Sequence, residues 1–147
     1  MPGVPSIYYG SEWGIYGKKE NGCDRALRPC LNIDDFPAAA GSPDLQKTIT
    51  KLAEIRKSSP SLKYGDYQEL HVSSHQLAFQ RESDSDKIIV AVNAAGEKAS
   101  IELKLPDNGE AVWSDILNGG EKLHSSNRLL KMEMHPCWAR ILRLELR

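Results

Sequence analysis

Near its start the chain contains the stretch Gly3-Val4-Pro5-Ser6-Ile7-Tyr8-Tyr9-Gly10-Ser11-Glu12. Its β-branched and aromatic residues favour a pleated, buried backbone, and the glycine that follows them favours a loop. The pattern therefore predicts a buried strand over Val4–Tyr9 that opens into a functional loop at Gly10. An ordinary edge strand also fits, because short apolar runs are ambiguous and Pro5 gives up a backbone donor.

Length and composition allow one globular core with an irregular segment before it. The chain has 147 residues, of which 40% are hydrophobic and 27% charged, whereas a closed barrel of eight strands and eight helices needs about 200 residues or more. Nineteen basic and twenty acidic residues give a net charge of −1. This balance does not favour nucleic acid or a membrane as a partner, and it is compatible with a neutral ligand such as a sugar.

The number and spacing of the cysteines indicate the redox state of the protein's compartment. Cys23, Cys30 and Cys137 are an odd number and lack the spacing of a disulfide framework or of a four-ligand zinc site. Free thiols in a reducing cytosol are the default for such a set. The sequence shows no signal-peptide pattern and no apolar run near the ~18 residues of a membrane helix, so we expect a cytoplasmic protein.

The first third of the chain combines a long loop with one helix. Glycine, proline, asparagine and aspartate punctuate the loop from Gly10 to Pro43, but its apolar residues are too many for a solvated coil, so we expect it to pack. Ser42-Pro43-Asp44 carries a cap, a first-turn proline and a favourable charge for a helix start. The helix should end near Ser58-Ser59-Pro60.

From Tyr64 onward the hydrophobic period changes to that of strands separated by turns, which predicts an antiparallel sandwich or barrel. The unbroken run Ile88–Val92 predicts a central strand buried on both faces, and the alternation over Ile101–Leu105 predicts a strand near an edge. The fold class is therefore mainly β, preceded by one strand, a long loop and one helix. The predicted strands are Asp66–Val72, Gln76–Arg81, Lys87–Asn93, Ala99–Leu105, Arg128–Met134 and Trp138–Leu146.

The pattern Gly-x-Pro-x-Ile-Tyr-Tyr-Gly-x-Glu resembles the last barrel strand of the alpha-amylase family, retaining glycoside hydrolases that cut alpha-glucans on a TIM barrel. Later segments resemble, in order, the family's helix-to-sandwich junction and its C-terminal β-sandwich, called domain C: Lys51–Asp66, Leu77–Arg81, Ile89–Asn93 and Trp113–Gly120. The resemblance implies that residues 1–60 are the end of the barrel and residues 61–147 are domain C.

One stretch indicates which branch of the family the chain resembles. Gly14–Lys19, followed by Asp24 and Arg28-Pro29, is most similar to the neopullulanase and cyclomaltodextrinase branch. Ser11 stands where the family commonly has aspartate, which puts in doubt any role that needs a carboxylate there.

The resemblance also implies where the chemistry lies. Retaining glycosidases need two carboxyl groups about 5–5.5 Å apart, and in this family those groups sit on earlier barrel strands. We therefore expect no catalytic residue in this chain, a parent enzyme that is a retaining alpha-glycosidase, and no hydrolysis by the chain alone. No cofactor is expected.

Other polar residues are weak candidates for a site. Asp34-Asp35 could be paired acids, but neighbours in a loop usually point apart. His71 and His75 flank a hairpin turn, so their spacing does not suit a metal. Asp84 and Asp86 could bind calcium, but the further ligands of a calcium loop are missing. We expect no metal.

Trp13 and Tyr16 are the candidates for substrate binding, because aromatic faces stack on pyranose rings and the resemblance places their loop beside the active-site cleft. The alternative is that they pack against the barrel or domain C. Glu12 is expected to order the loop through backbone hydrogen bonds rather than to act as an acid or base.

The expected partners are the missing catalytic barrel of the parent enzyme and an alpha-glucan. A binding module that holds maltooligosaccharides without catalysis is an alternative function. An unpaired apolar strand is a template for edge pairing, so we also expect a homo-oligomer formed through the exposed N-terminal segment Val4–Tyr9.

Overall fold

The computed structural model describes residues 3–19, 21–32, 34, 43–107 and 109–145. The chain divides into two compact units, one made by residues 3–53 and the other by residues from Glu54 onward. No helix in the described ranges has the length and apolar character needed to cross a membrane.

Two helices precede the strands. Helix α1 spans Pro43–Ser58 and helix α2 spans Pro60–Tyr64, so the predicted first-turn proline is confirmed, while the predicted cap Ser42 lies outside the described residues. Helix α2 was not predicted. Ser59 leaves the helical conformation, and its hydroxyl accepts a hydrogen bond from the Leu62 amide at 3.3 Å, which caps a new turn that begins at Pro60.

Eight strands follow, and every neighbouring pair is antiparallel. Their order in the sheet is β1-β2-β3-β8-β5-β6-β7-β4. The strands are β1 Asp66–Val72, β2 Gln76–Ser83, β3 Asp86–Asn93, β4 Ala99–Lys104, β5 Ala111–Asp115, β6 Lys122–Ser126, β7 Leu129–Met134 and β8 Trp138–Leu144.

Six of these strands match the predictions, and β5 and β6 were missed. Lys122–Ser126 contains a single large apolar residue, Leu123, so the period-2 signal is too weak to recognise. Arg128 was predicted as the first residue of β7, but it lies in the β6–β7 turn. Asn127 and Arg128 have φ values of 50° and 66°, as the two central residues of a tight hairpin turn require.

One core lies between the inner faces of the sheet. Its fully buried members come from strands across the whole order, including Ile89 of β3, Leu103 of β4, Trp113 of β5, Leu130 of β7 and Leu142 of β8. Because strands from both halves contribute to one cluster, the sheet folds over itself as a sandwich, as predicted.

The burial of individual strands also follows the predictions. In β3, Ile89 faces the main core, while Ile88 packs with Ile55 of α1 and Ile141 of β8 on the other face of the sheet. Strand β3 is therefore central and buried on both faces. Strand β4 lies at one end of the sheet order and alternates between buried and exposed residues.

The predicted strand Val4–Tyr9 is wrong. Residues 4–8 have no regular secondary structure and pair with no strand in the described part of the chain. Val4 is 91% exposed, and Ile7, Tyr8 and Tyr9 are also exposed. A strand exists only where a neighbour satisfies its backbone N–H and C=O groups, and the described residues supply no such neighbour.

Candidate functional site

The loop that begins at Gly10 folds back on itself. Ser11–Trp13 form a single 3-10 turn between two left-handed glycines, Gly10 with φ 87° and Gly14 with φ 72°. The Ile15 amide donates to the Gly10 carbonyl at 3.1 Å. A Cβ atom on Gly10 would lie 3.0 Å from Leu31 Cδ1, and the positive φ of Gly10 is a conformation that favours glycine.

A second close approach fixes the middle of the loop. A Cβ on Gly17 would lie 2.0 Å from the carbonyl oxygen of Ala26, which belongs to the short 3-10 turn Arg25–Leu27. Lys19 and Asp24 form an ion pair at 3.1 Å across the intervening turn. The described part of the loop therefore packs in part against itself.

The two candidate sugar-binding residues differ in exposure. Trp13 lies in the first 3-10 turn and is half-buried, whereas Tyr16 follows Ile15 and is 90% exposed. The Tyr16 ring therefore offers nearly all of its surface to a ligand. An exposed, rigid aromatic ring can stack on the apolar face of a sugar.

Glu12 was expected to order the loop through backbone hydrogen bonds. Its Oε2 atom is buried and accepts no hydrogen bond from the described residues. The amides of the turn bond to backbone carbonyls, as in the bond from the Gly14 amide to the Ser11 carbonyl at 3.0 Å. These backbone hydrogen bonds and the two left-handed glycines order the turn.

The weak polar candidates do not form a site in the described part of the chain. Asp34 is exposed, and its amide donates to the Asn32 side chain at 3.3 Å; Asp35 lies outside the described residues. Within the described ranges, no group of three histidine, cysteine or acidic side chains is placed to hold a metal ion. Asp84 is an exposed turn residue.

Asp86 has a different environment, which the sequence did not reveal. Its Oδ2 atom accepts hydrogen bonds from the hydroxyls of Ser59 and Ser61, both fully buried, and Arg143 lies 3.3 Å from its Oδ1 atom. These contacts join the helical junction between α1 and α2 to strands β3 and β8. Asp86 is therefore committed to holding the fold together.

A second polar cluster lies at the end of β5. Arg140 Nη1 lies 2.9 Å from Asp115 Oδ2 and 2.7 Å from Glu121 Oε2, and the Asp115 side chain is fully buried. The amides of Leu117 and Asn118 donate to Asp115 Oδ1, both at 3.1 Å. A buried carboxylate with this many donors shapes the β5–β6 turn and is not free for acid-base chemistry.

Neither cluster was predicted, because its members are far apart along the chain. Ser59 and Asp86 are 27 positions apart, and Asp115 and Arg140 are 25 positions apart. The signal that could have pointed to the second cluster is the aspartate in Trp113–Gly120, where a charged residue ends an apolar strand and begins a turn.

The fold has known counterparts. Residues 67–135 match the alpha amylase C-terminal all-beta domain. A cyclomaltodextrin glucanotransferase of Klebsiella oxytoca is 34% identical over 102 residues, which cover 69% of this chain and 15% of that protein. Neopullulanase 2 of Thermoactinomyces vulgaris is 29% identical over 142 residues, which cover 95% of this chain and 23% of that protein.

Solved structures show the same fold. The alpha-amylase of Geobacillus thermoleovorans, crystallised with acarbose, superposes with a TM-score of 0.83 at 21% identity over 99% of this chain and 31% of that one. The chain thus spans less than a third of each of these proteins. The predicted likeness to the neopullulanase and cyclomaltodextrinase branch is confirmed, and glucanotransferases match as well. The chain therefore belongs to the alpha-amylase family of glycoside hydrolases, and its strands form that family's C-terminal all-β domain.

Proposed function

We propose that this chain is the C-terminal part of an alpha-glucan hydrolase and that it supports the enzyme without contributing catalytic carboxylates. The names of two relatives, a cyclomaltodextrin glucanotransferase and a neopullulanase, support the glucan class. The chain covers 15% and 23% of these two proteins, so the activity of a longer parent enzyme is part of the proposal.

The main support for a non-catalytic role is that the carboxylates of Asp86 and Asp115 are both used in contacts within the fold. Both carboxylates accept hydrogen bonds from several side chains or amides and face an arginine. A retaining glycosidase instead needs two carboxyl groups separated by about 5–5.5 Å across an open cleft. The sandwich uses its buried acids to fix turns and the helical junction.

Packing supports the same role. Ile55, near the end of α1, is buried against Ile88 and Ile141 on the outer face of the sheet. The helix end is thereby fixed on the sandwich by apolar contact as well as by the hydrogen bonds of Ser59 and Ser61. In a longer enzyme these contacts would fix the position of α1, the helix that precedes the sandwich.

The test is an activity assay of the purified chain with maltodextrin. We expect no release of reducing ends, with a neopullulanase as the positive control. Release that is reproducible and proportional to the amount of pure chain would overturn the proposal.

Expression of the complete coding region then tests the glucan class, because the longer product should release reducing ends from maltodextrin or cyclodextrin.

A second function, maltooligosaccharide binding without catalysis, is favoured by the 90% exposure of Tyr16. Titration with maltooligosaccharides and tryptophan fluorescence tests it. Trp113 is buried and Trp138 is half-buried, so a saturable change that disappears in Trp13→Phe would assign binding to the loop. An unchanged spectrum would reject this function for the loop.

The cytoplasmic location remains part of the proposal. Cys23, Cys30 and Cys137 are free and exposed, and exposed free thiols suit a reducing compartment. Fractionation of the source cells with an antibody to the chain tests this location.

A further inference from the structure

Three asparagines of the chain are followed directly by glycine: Asn21, Asn108 and Asn118. Such an asparagine can be modified without an enzyme, because the backbone nitrogen of the next residue can attack the carbonyl carbon of its side chain. Glycine has no Cβ and therefore hinders this attack least. Asn108 lies outside the described residues, so Asn21 and Asn118 are the two sites to compare.

Asn21 and Gly22 form an exposed turn in the loop that precedes α1. Their φ values are 48° and 74°, as expected for the two central residues of a tight hairpin turn. Both residues are exposed, and apart from the chain neighbours of Gly22 no atom lies within 4 Å of its Cβ position. No hydrogen bond from the described residues holds the Asn21 side chain. This turn can therefore rotate without meeting other atoms.

The residues on either side of the turn are held together. A Cβ on Gly17 would lie 2.0 Å from the Ala26 carbonyl oxygen, and Lys19 Nζ lies 3.1 Å from Asp24 Oδ1. The length of backbone between these contacts is therefore matched to the turn that it forms.

Asn118 has the same neighbour but a different environment. Its Nδ2 atom donates to Asp115 Oδ2 at 3.0 Å and to the Ala139 carbonyl at 2.9 Å, and the residue is half-buried. Both hydrogen bonds must break before the side chain can turn towards the Gly119 nitrogen. The fold therefore protects this second site.

We propose that Asn21 is a site of spontaneous deamidation in the folded chain. The Gly22 nitrogen forms a bond to Asn21 Cγ, the C–N bond of the side-chain amide breaks, and ammonia leaves with the proton that the Gly22 nitrogen has lost. Water then opens the cyclic succinimide at one of its two carbonyls, which gives aspartate or isoaspartate. Water is the only co-reactant.

The product changes the turn in two ways. It places a new carboxylate in the turn that Lys19 and Asp24 close. In isoaspartate the main chain also passes through the former side chain, which lengthens the backbone by one methylene group. The backbone then no longer matches the contacts on either side, so the modification loosens residues 17–26.

The experiment is incubation of the full chain in mildly alkaline buffer, followed by digestion at acidic pH and mass spectrometry of the peptides. We expect the amide-to-acid mass gain to accumulate at Asn21 about ten times faster than at Asn118, or more, because two hydrogen bonds must break at the second site. In guanidinium chloride the two sites should react at similar rates. Aspartate and isoaspartate forms of the Asn21 peptide should separate by chromatography.

Asn127 is an internal control for the role of glycine. It is exposed and has a φ of 50°, close to that of Asn21, but Arg128 follows it. We expect no mass gain there over the same period. A folded chain in which Asn21 does not react, or reacts no faster than Asn118 or Asn127, would overturn the proposal.

Hydrogen exchange tests the effect on the turn. Amides of residues 17–26 should exchange faster in the incubated chain than in fresh chain. Asn21→Gln should remove this change, because a glutamine must close a larger ring and reacts far more slowly. Equal exchange in fresh and fully modified chain would overturn the proposed loosening.

Discussion

Arg140 and Asp115 form an ion pair that is almost fully withdrawn from solvent: Arg140 Nη1 lies 2.9 Å from Asp115 Oδ2, with the two side chains 6% and 0% exposed. Arg140 also lies over the Trp138 ring, 4.6 Å from its centroid. Breaking such a pair on one side leaves a buried charge without compensation, which costs more than the pair contributes.

We therefore expect Asp115→Ala to lower the free energy of unfolding by about 3–5 kcal/mol. The buried Arg140 would keep only the exposed Glu121 as an ionic partner, and the amides of Leu117 and Asn118 would lose their acceptor. Urea denaturation followed by circular dichroism measures the change. Glu121→Gln is the control, because Glu121 contacts the same arginine but is 58% exposed, and it should cost about 1 kcal/mol or less. Equal losses in the two variants would contradict this account.

Gly65→Ala tests the close approach between the α2 end and β2. A Cβ at this position would lie 2.5 Å from the Glu82 carbonyl oxygen and 2.7 Å from that of Ser61, so the backbone must move. We expect a loss of about 1–3 kcal/mol, the usual cost of forcing extra atoms into a packed site. Gly96→Ala is the control, since nothing lies within 4 Å of its Cβ position. Thermal denaturation that leaves both melting temperatures unchanged would show that the contact can relax.

Asp86→Ala removes the acceptor for Ser59 and Ser61 and the partner of Arg143. Because the two serines are fully buried, we expect a loss of about 2–4 kcal/mol. Amide hydrogen exchange locates the effect, and protection should fall first in α2. Asp84→Ala changes an exposed residue of the same turn and should leave the protection of α2 as it was. A loss spread evenly over the sandwich would contradict the proposed role of Asp86 at the junction.

The pKa of Lys87 predicts how the stability of the fold changes at alkaline pH. Partial burial lowers its pKa, but hydrogen bonds from the ammonium to Asp107 and Glu82 outweigh that effect and raise the pKa above the ordinary 10.5. A raised pKa in the folded state stabilises the fold while the lysine is charged. This contribution is fully present below the unfolded pKa and is lost as the pH rises through the folded pKa.

We expect Lys87→Met to lower stability near neutral pH and to lose less stability than the original chain when the pH rises above about 10.5. Urea titrations at a series of pH values measure this difference. Lys98→Met, at an exposed position, controls for the general effect of removing a lysine. Parallel stability curves for the original chain and Lys87→Met would contradict the assignment.

The sandwich could be predicted because the order of apolar and polar residues along a strand shows which of its faces are buried. Ile101 and Leu103 alternate with exposed polar residues, and Ile88–Val92 is apolar throughout, so one-sided and two-sided strands differ within a single window. Lys122–Ser126 lacks this information. It becomes a strand because Ser125 pairs with Ala111 and Leu130, residues of neighbouring strands that a local pattern does not include.

The candidate site was less predictable, for a different reason. Trp13 and Tyr16 are noticeable as residue types, but only the structure shows that one ring is half-buried and the other exposed. Contacts between residues distant in sequence decide which side chains meet, and no local window contains them.

The exposed N-terminal segment leads to the last prediction, that the chain alone self-associates. Val4, Ile7, Tyr8 and Tyr9 are between 47% and 91% exposed, and contiguous apolar surface of this kind favours association in water. Sedimentation velocity should show a larger species as the concentration rises through the micromolar range. Ile7→Lys combined with Tyr8→Lys should return the chain to a monomer. Val72→Lys, which charges an exposed apolar residue of β1, should not, and a clean monomer of the original chain at every concentration would reject the prediction.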